Sequence, residues 1–412
     1  MGVRLDTGRG MRTVFFVAPF LLEATLKYVS AAASVAGTRL VVLTQDDPAK
    51  LPAGALHYRV DDAMSAPKLV AACKDVMRHT GGVHRVIGIL ENAQETIADV
   101  REALGVPGMT RAVAERFRDK GLMKNALREA GLPCARFKRL HSIGDGRSFA
   151  GEVGFPIVLK PPSGAGCRAT YQVNTSAELE TALSETQPSA EREVLAEEFI
   201  QGEEFSFDTI VIDGRLQFTN ILRYLPGPLD VTRNDWIQWC VLAPRDISGP
   251  EFDPIRKVGV AAVEALGLRT GMTHMEWFRR KDGSAVISEV GARPPGAQFT
   301  TVMSYAYDRS MYHAWAHAVI DERVQGPFER KFAAGCAYLR GSGTGRITSI
   351  EGLDEAQKLV GKYVVEANLP VVGRSKASGY EGDGFVVVRH PDTAVVQEIL
   401  AIVVGTVKIH YA

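Results

Sequence analysis

The sequence predicts an α/β chain that passes into an α+β one: an open parallel sheet first, then hairpin-linked antiparallel strands, then a small C-terminal α+β segment. Three observations carry this reading. Apolar runs alternate with helical patterns up to Asn92. Farther on, Asp-Gly pairs at Asp213-Gly214 and Asp282-Gly283 stand between strand-like runs, the signal of tight hairpins. The breaker cluster Gly105 to Thr110 separates the two regimes, and 412 residues leave room for two or three domains.

In chain order, residues 1–11 have glycines and arginines without an apolar period and read as a disordered leader. "TVFFVAPF" from Thr13 and "TRLVVLTQDD" from Thr38 flank a helical pattern that closes on Gly37, a β-α-β unit; "HRVIGILEN" from His84 follows a second helical stretch. Pro19, Glu23 and Lys27 break the first apolar run too early for a signal peptide. No GxGxxG follows that run, which counts against a dinucleotide-binding sheet. A charged helical stretch, "TRAVAERFRDKGLMKNALREAGLP", stops at Gly131 and Pro133. Hairpin strands follow to Gly296, then a helix containing "MYHAWAHAVI" and a tail of short strands from Lys331.

Forty-eight basic and 48 acidic side chains give no excess charge, so neither nucleic acid nor a membrane surface is an expected partner. The five cysteines are scattered with no CxxC pair, which suits a reducing cytoplasm and suggests neither a zinc site nor a disulfide framework. A small-molecule site is the remaining default.

The second hairpin carries the sharpest chemistry. Counting outward from a two-residue turn at Asp282-Gly283 places Glu276 opposite Glu289 on one face. Cβ atoms so paired lie about 4.5–5.5 Å apart, where like charges repel. A bridging Mg²⁺ or Mn²⁺ would compensate; a bulge or a three-residue loop would instead shift the register and remove the clash. Lys160 ends an apolar strand before a Gly/Ser-rich loop from Ser163 to Arg168, where backbone amides can approach phosphate; an ordinary hairpin tip explains the same residues. Lys120 on the charged stretch reads as solvated, and the acids of "LAEEFIQGEEF" as an exposed bend.

Taken in order, these motifs resemble the ATP-grasp superfamily over about Thr110 to Asp321. The resemblance implies a domain at 111–328, with a mobile lid at about 136–196, between an N-terminal α/β domain at 12–110 and a C-terminal ligase-type domain at 329–412. It implies that Lys120 and Lys160, with Ser163, Gly164 and Gly166 of the loop, hold ATP phosphates. Glu197-Glu198-Phe199-Ile200 would be the adenine hinge, Glu204 the ribose acid, and Glu276 and Glu289 the magnesium carboxylates. Gly291 stands where many members carry asparagine, and water is expected in place of that metal ligand. "SEVGARPP" is similar to the metal motif of formate-dependent glycinamide ribonucleotide transformylase, and "MTHMEW" to the "PTHTE" of bacterial L-amino acid ligases, whose arginine four residues past the second glutamate matches Arg293.

The resemblance therefore implies a ligase that activates a small-molecule carboxylate, an amino acid above all, as an acyl phosphate and passes it to an amine, yielding amide, ADP and phosphate. Arg293 and Lys160 would be catalytic. His274, Arg233 and Glu91 are candidate substrate contacts. A homodimer is an allowed assembly. The competing readings are a formate- or bicarbonate-using ATP-grasp enzyme and a nucleotide-binding protein without catalysis.

Overall fold

The computed structural model describes residues 11–164, 169–234 and 237–412; the leader before Met11 and Gly166 of the loop lie outside them. Four parallel strands form the N-terminal sheet, in the order Ala55–Arg59, Thr38–Thr44, Arg12–Val17 and Arg85–Ile87. The strand at Ala55–Arg59 has no buried residue and no apolar alternation, so its sequence carries no strand signal. Helices Ala66–Thr80 and Gln94–Leu104 end on Gly81 and Gly105 in the left-handed conformation. Helix Glu23–Ala33 packs against helix Met311–Asp321, with Tyr28 edge-on to Trp315 at 5.1 Å and its hydroxyl 2.6 Å from Thr300 Oγ1.

The charged stretch is two helices, Arg111–Arg118 and Lys120–Glu129, broken at Asp119. Asp119 is extended and caps the second helix through a hydrogen bond from Leu122 N. This break puts Lys120 at the first position of a new helix, with its side chain turned inward: it is 6% exposed, contrary to the solvated reading. The chain then forms a separate four-stranded antiparallel sheet, in the order Phe137–Leu140, Val194–Glu198, Ile157–Lys160 and Tyr171–Val173, at the position expected for the lid.

Eight antiparallel strands make the central sheet, ordered Ala285–Gly291, Gly271–Arg279, Glu203–Ile212, Arg215–Leu225, Trp239–Ala243, Ala333–Leu339, Gly384–His390 and Val364–Asn368. The last three come from the C-terminal segment, which thus extends the central sheet; its other two strands, Ile347–Glu351 and Lys408–Tyr411, form a ribbon of their own. Asp213-Gly214 makes the expected hairpin, both residues at positive φ.

The second hairpin reaches its expected pairing by an unexpected route. Its turn is a three-residue loop, Lys281 to Gly283, closed by Arg280 N donating to Ser284 O at 2.9 Å, with Gly283 at φ 82°. That loop shifts the register, so Trp277 faces Ile287. A bulge at Ser288 then shifts it back, and Glu276 faces Glu289 after all.

A cleft of opposed carboxylates and lysines as the candidate active site

The cleft lies between the lid sheet, the central sheet and the end of strand Arg85–Ile87. The bulged hairpin delivers Glu276 and Glu289 to its floor. Lys120 Nζ lies 2.9 Å from Glu289 Oε1 and donates to Gly164 O at 3.1 Å, joining floor to lid loop. Lys160 Nζ, at the end of its lid strand, lies 3.0 Å from Glu197 Oε2. Lys124, fully buried one turn beyond Lys120, reaches the same carboxylate at 3.5 Å and donates to Ser288 O at 2.9 Å. The three lysines and Glu197, Glu276 and Glu289 thus form one interlocked charge array.

Burial raises the carboxyl of Glu276, and Glu289 beside it raises it further. Burial also works to raise Glu289, but Lys120 and Lys160 outweigh it and hold that carboxyl below the usual range. The same contest at Glu197, between burial and the ammonium groups of Lys124 and Lys160, again ends below the usual range. Glu204 is pushed well up by burial, then by Glu276 and Asp230, and no lysine or arginine among the described residues pairs with it. A carboxyl raised in the folded state loses stability as pH climbs from the unfolded value through the folded one. Glu204→Gln removes that loss, so the ligand-free variant is expected to melt about 2 °C above the parent at pH 7.5 and level with it at pH 4. Thermal melts at both pH values check the sign.

At the other end Arg293 donates through Nε and Nη2 to Glu91 Oε2, at 2.9 and 2.7 Å, while Arg118 donates to Glu91 Oε1 at 2.6 Å. His274 is anchored by its Nδ1, 2.6 Å from Asp208 Oδ1, and its Nε2 lies 3.4 Å from the Tyr224 hydroxyl and 3.9 Å from Glu276 Oε1. Asp208 is fully buried and also accepts from Ser206 and Asn220.

Most of the expected residues converge here: Lys120, Lys160, Gly164, Glu197, Glu198, Phe199, Ile200, Glu204, His274, Glu276, Glu289, Arg293 and Glu91 all line one cleft. Three do not. Arg233 is exposed and points to the lid, donating to Gln172 Oε1 at 2.5 Å. Ser163 is exposed at the lid loop and is not part of the lining. Gly166 is outside the described residues. Glu198 borders the cleft, but its carboxylate is turned to Arg136, 2.8 Å away. Sequence reasoning missed Lys124, Arg118 and Tyr380. Lys124 had a signal, since Lys120, Lys124 and Leu127 share a helical face and a lysine in line with leucine points inward. Arg118 and Tyr380 had none.

A metal would find two hard carboxylates in register, and no group of three histidine, cysteine or carboxylate side chains among the described residues is arranged to hold one. That donor set fits Mg²⁺ or Mn²⁺ arriving with phosphate oxygens, and does not fit a structural cation.

Residues 153–302 match the family model described as ATP-grasp domain. The chain carries an ATP-grasp domain. It is 23% identical over 266 residues to the L-arginine-specific L-amino acid ligase of Bacillus subtilis, covering 62% of each chain. It is 29% identical over 247 residues to the alanine–anticapsin ligase of the same species, covering 52% of this chain and 50% of that one. The chain therefore spans less than two thirds of the length of these curated relatives. The crystal structure of an L-amino acid ligase from Bacillus licheniformis superposes with a TM-score of 0.80 at 20% identity, over 98% of this chain and all of that one. The likeness in fold to that ligase runs through the N-terminal and C-terminal segments as well. No helix of the described residues is long and apolar enough to cross a membrane.

Gly291 of this ATP-grasp domain pairs with His274, and a Cβ there would meet nothing closer than Arg293 Cγ at 3.7 Å. Gly291→Asn therefore finds room for its Cβ, and its amide would add an oxygen donor beside the glutamate pair. It is expected to lower the Mg²⁺ concentration at half-maximal ADP release by about three- to ten-fold, measured by metal titration at saturating nucleotide.

Proposed function

We propose that this protein is an ATP-dependent carboxylate–amine ligase acting on a small acid, an amino acid above all, in a reducing cytoplasm. A carboxylate oxygen of the acid attacks the γ-phosphorus of ATP, the bond to the β–γ bridging oxygen breaks, and ADP leaves. The amine nitrogen then attacks the acyl carbon, phosphate leaves, and the nitrogen loses a proton to give the amide.

The observation that carries this reading is the meeting in one cleft of the Glu276–Glu289 pair, Lys120, Lys160 and Arg293. Bringing an anionic acid to a polyanionic nucleotide requires cations held in place beforehand, because reorganising them during reaction costs rate. Lys120 and Lys160 are so held, and both sit where phosphate oxygens would replace Glu289 and Glu197 as partners. Arg293, fixed by Glu91, would face the acyl phosphate and the oxyanion of its aminolysis. Glu276 and Glu289 would hold Mg²⁺, which would neutralise phosphate charge. Glu197 to Ile200 and Glu204 would receive the nucleoside, and Gly164 with its loop would shield the acyl phosphate from water.

The test supplies ATP, Mg²⁺, hydroxylamine and a panel of acids. ADP with a hydroxamate is the expected result. AMP release would overturn the acyl-phosphate route, and ADP formation dependent on bicarbonate or formate would replace it with the carboxylase or formyl reading.

A further inference from the structure

The end of the cleft beyond the two glutamates has a chemistry of its own. Tyr224, Phe299 and Tyr380 form its wall. Phe299 opens helix Phe299–Ala306 and lies 5.2 Å from the Tyr224 ring and 5.3 Å from that of His274. Tyr380 comes from the C-terminal segment and is set by Trp239, whose ring lies 5.3 Å away and whose indole N–H donates to Tyr380 O at 2.7 Å. Trp239 is itself fully buried and stacked on Tyr338 at 4.1 Å, so the wall rests on rigid core.

The charge at this end points the same way. Glu276 and Glu204 stand beside Tyr224, while at the arginine end Glu91 has both its oxygens taken, by Arg118 and by Arg293. The three together carry one net positive charge, within electrostatic reach of Tyr380. Such a site attracts the carboxylate of an acid and repels a cationic side chain, and the rings offer an apolar surface to whatever that acid carries. The likeness to an L-arginine-specific ligase makes arginine the natural competitor.

Resting on the ligase reading, we propose that the acid activated here carries an apolar, preferably aromatic, side chain, received by Phe299, Tyr224 and Tyr380. With Glu91 held by two arginines, and with Glu276 and Glu289 given to the metal and Glu204 to the nucleoside on the ligase reading, a guanidinium or ammonium would find no carboxylate free to pair it.

The full-length chain with ATP, Mg²⁺ and hydroxylamine is given phenylalanine, leucine, methionine, arginine, lysine or glutamate in parallel. An apolar acid is expected to exceed arginine and lysine by about ten-fold or more in kcat/KM for hydroxamate. Arginine or lysine equal to or better than phenylalanine and leucine overturns the inference and leaves the ligase reading standing. No hydroxamate from any acid overturns both. Tyr380→Ala, a change on a half-buried loop, and Phe299→Ala are each expected to raise KM for the favoured acid about ten-fold with KM for ATP unmoved. An equal rise in both, or none, in Tyr380→Ala overturns the assignment of the wall.

Discussion

Glu276→Gln is expected to lower ADP formation about 1000-fold while leaving the ligand-free protein at least as stable as the parent. The two effects have one cause. Without ligand, Glu276 is half-buried opposite Glu289, with His274 Nε2 at 3.9 Å and no lysine or arginine among the described residues at ion-pair distance; burial and the neighbouring carboxylate raise its carboxyl above the usual range. A neutral amide relieves this conflict, and the Tyr224 hydroxyl, 3.4 Å away, accepts the change readily. In the reacting complex the same charge is needed, because a metal–phosphate cluster replaces the repulsion with attraction. Glu289→Gln should lose activity comparably but also lose stability, since Glu289 is the partner of Lys120 at 2.9 Å. ADP release and thermal melts on both variants decide it. Ordinary activity in Glu276→Gln, or a collapsed melt, would show that the carboxylate pair serves the fold and not the chemistry.

That opposition was legible in the sequence only because two irregularities cancel. A count from Asp282-Gly283 assumes a two-residue turn and an unbroken ladder, and both assumptions fail: the loop has three residues and Ser288 bulges. Selection on the site acts on where the carboxylates end up, so the pairing is right although the path to it was not. Lys160 and Arg293 were readable because each follows an apolar strand end, where side chains reach a cleft. Lys120 reads as solvated only if the charged stretch is one helix; the break at Asp119 that turns it inward, and the face it shares with Lys124 and Leu127, carry the opposite signal. Arg233 shows the converse: read as a candidate substrate contact, it ends helix Pro228–Arg233 and turns toward the lid strand instead. Edge strand Ala55–Arg59 lacked a pattern because both its faces are half-covered. What stayed hidden is tertiary: the pairing of Glu91 with Arg118 and Arg293 crosses from the parallel sheet to the central one, and no local spacing encodes it.

The largest stability effect is expected at Lys124. Its ammonium is fully buried, and burial draws it below its ordinary range, partly opposed by Glu197. It donates to the carbonyl of Ser288, the bulge residue that restores the register of the two glutamates, and pairs with Glu197, which also holds Lys160. Lys124→Met keeps the volume but strands the Ser288 carbonyl and leaves Glu197, with Oε1 already unpartnered, dependent on Lys160 alone. Breaking a buried pair from one side costs about 3–5 kcal/mol, since the remaining charge cannot reach water. Glu197→Gln should be nearly as harmful alone, whereas the double variant loses less than the sum because no unpaired carboxylate remains. Urea unfolding of the four proteins measures this coupling, and strict additivity would mean that Lys124 and Glu197 stabilise the cleft independently. In the coupled case, part of the loss in Lys124→Met also falls on catalysis: a bulge no longer held at Ser288 frees the hairpin to slip toward the register of its turn, in which Glu276 and Glu289 no longer meet.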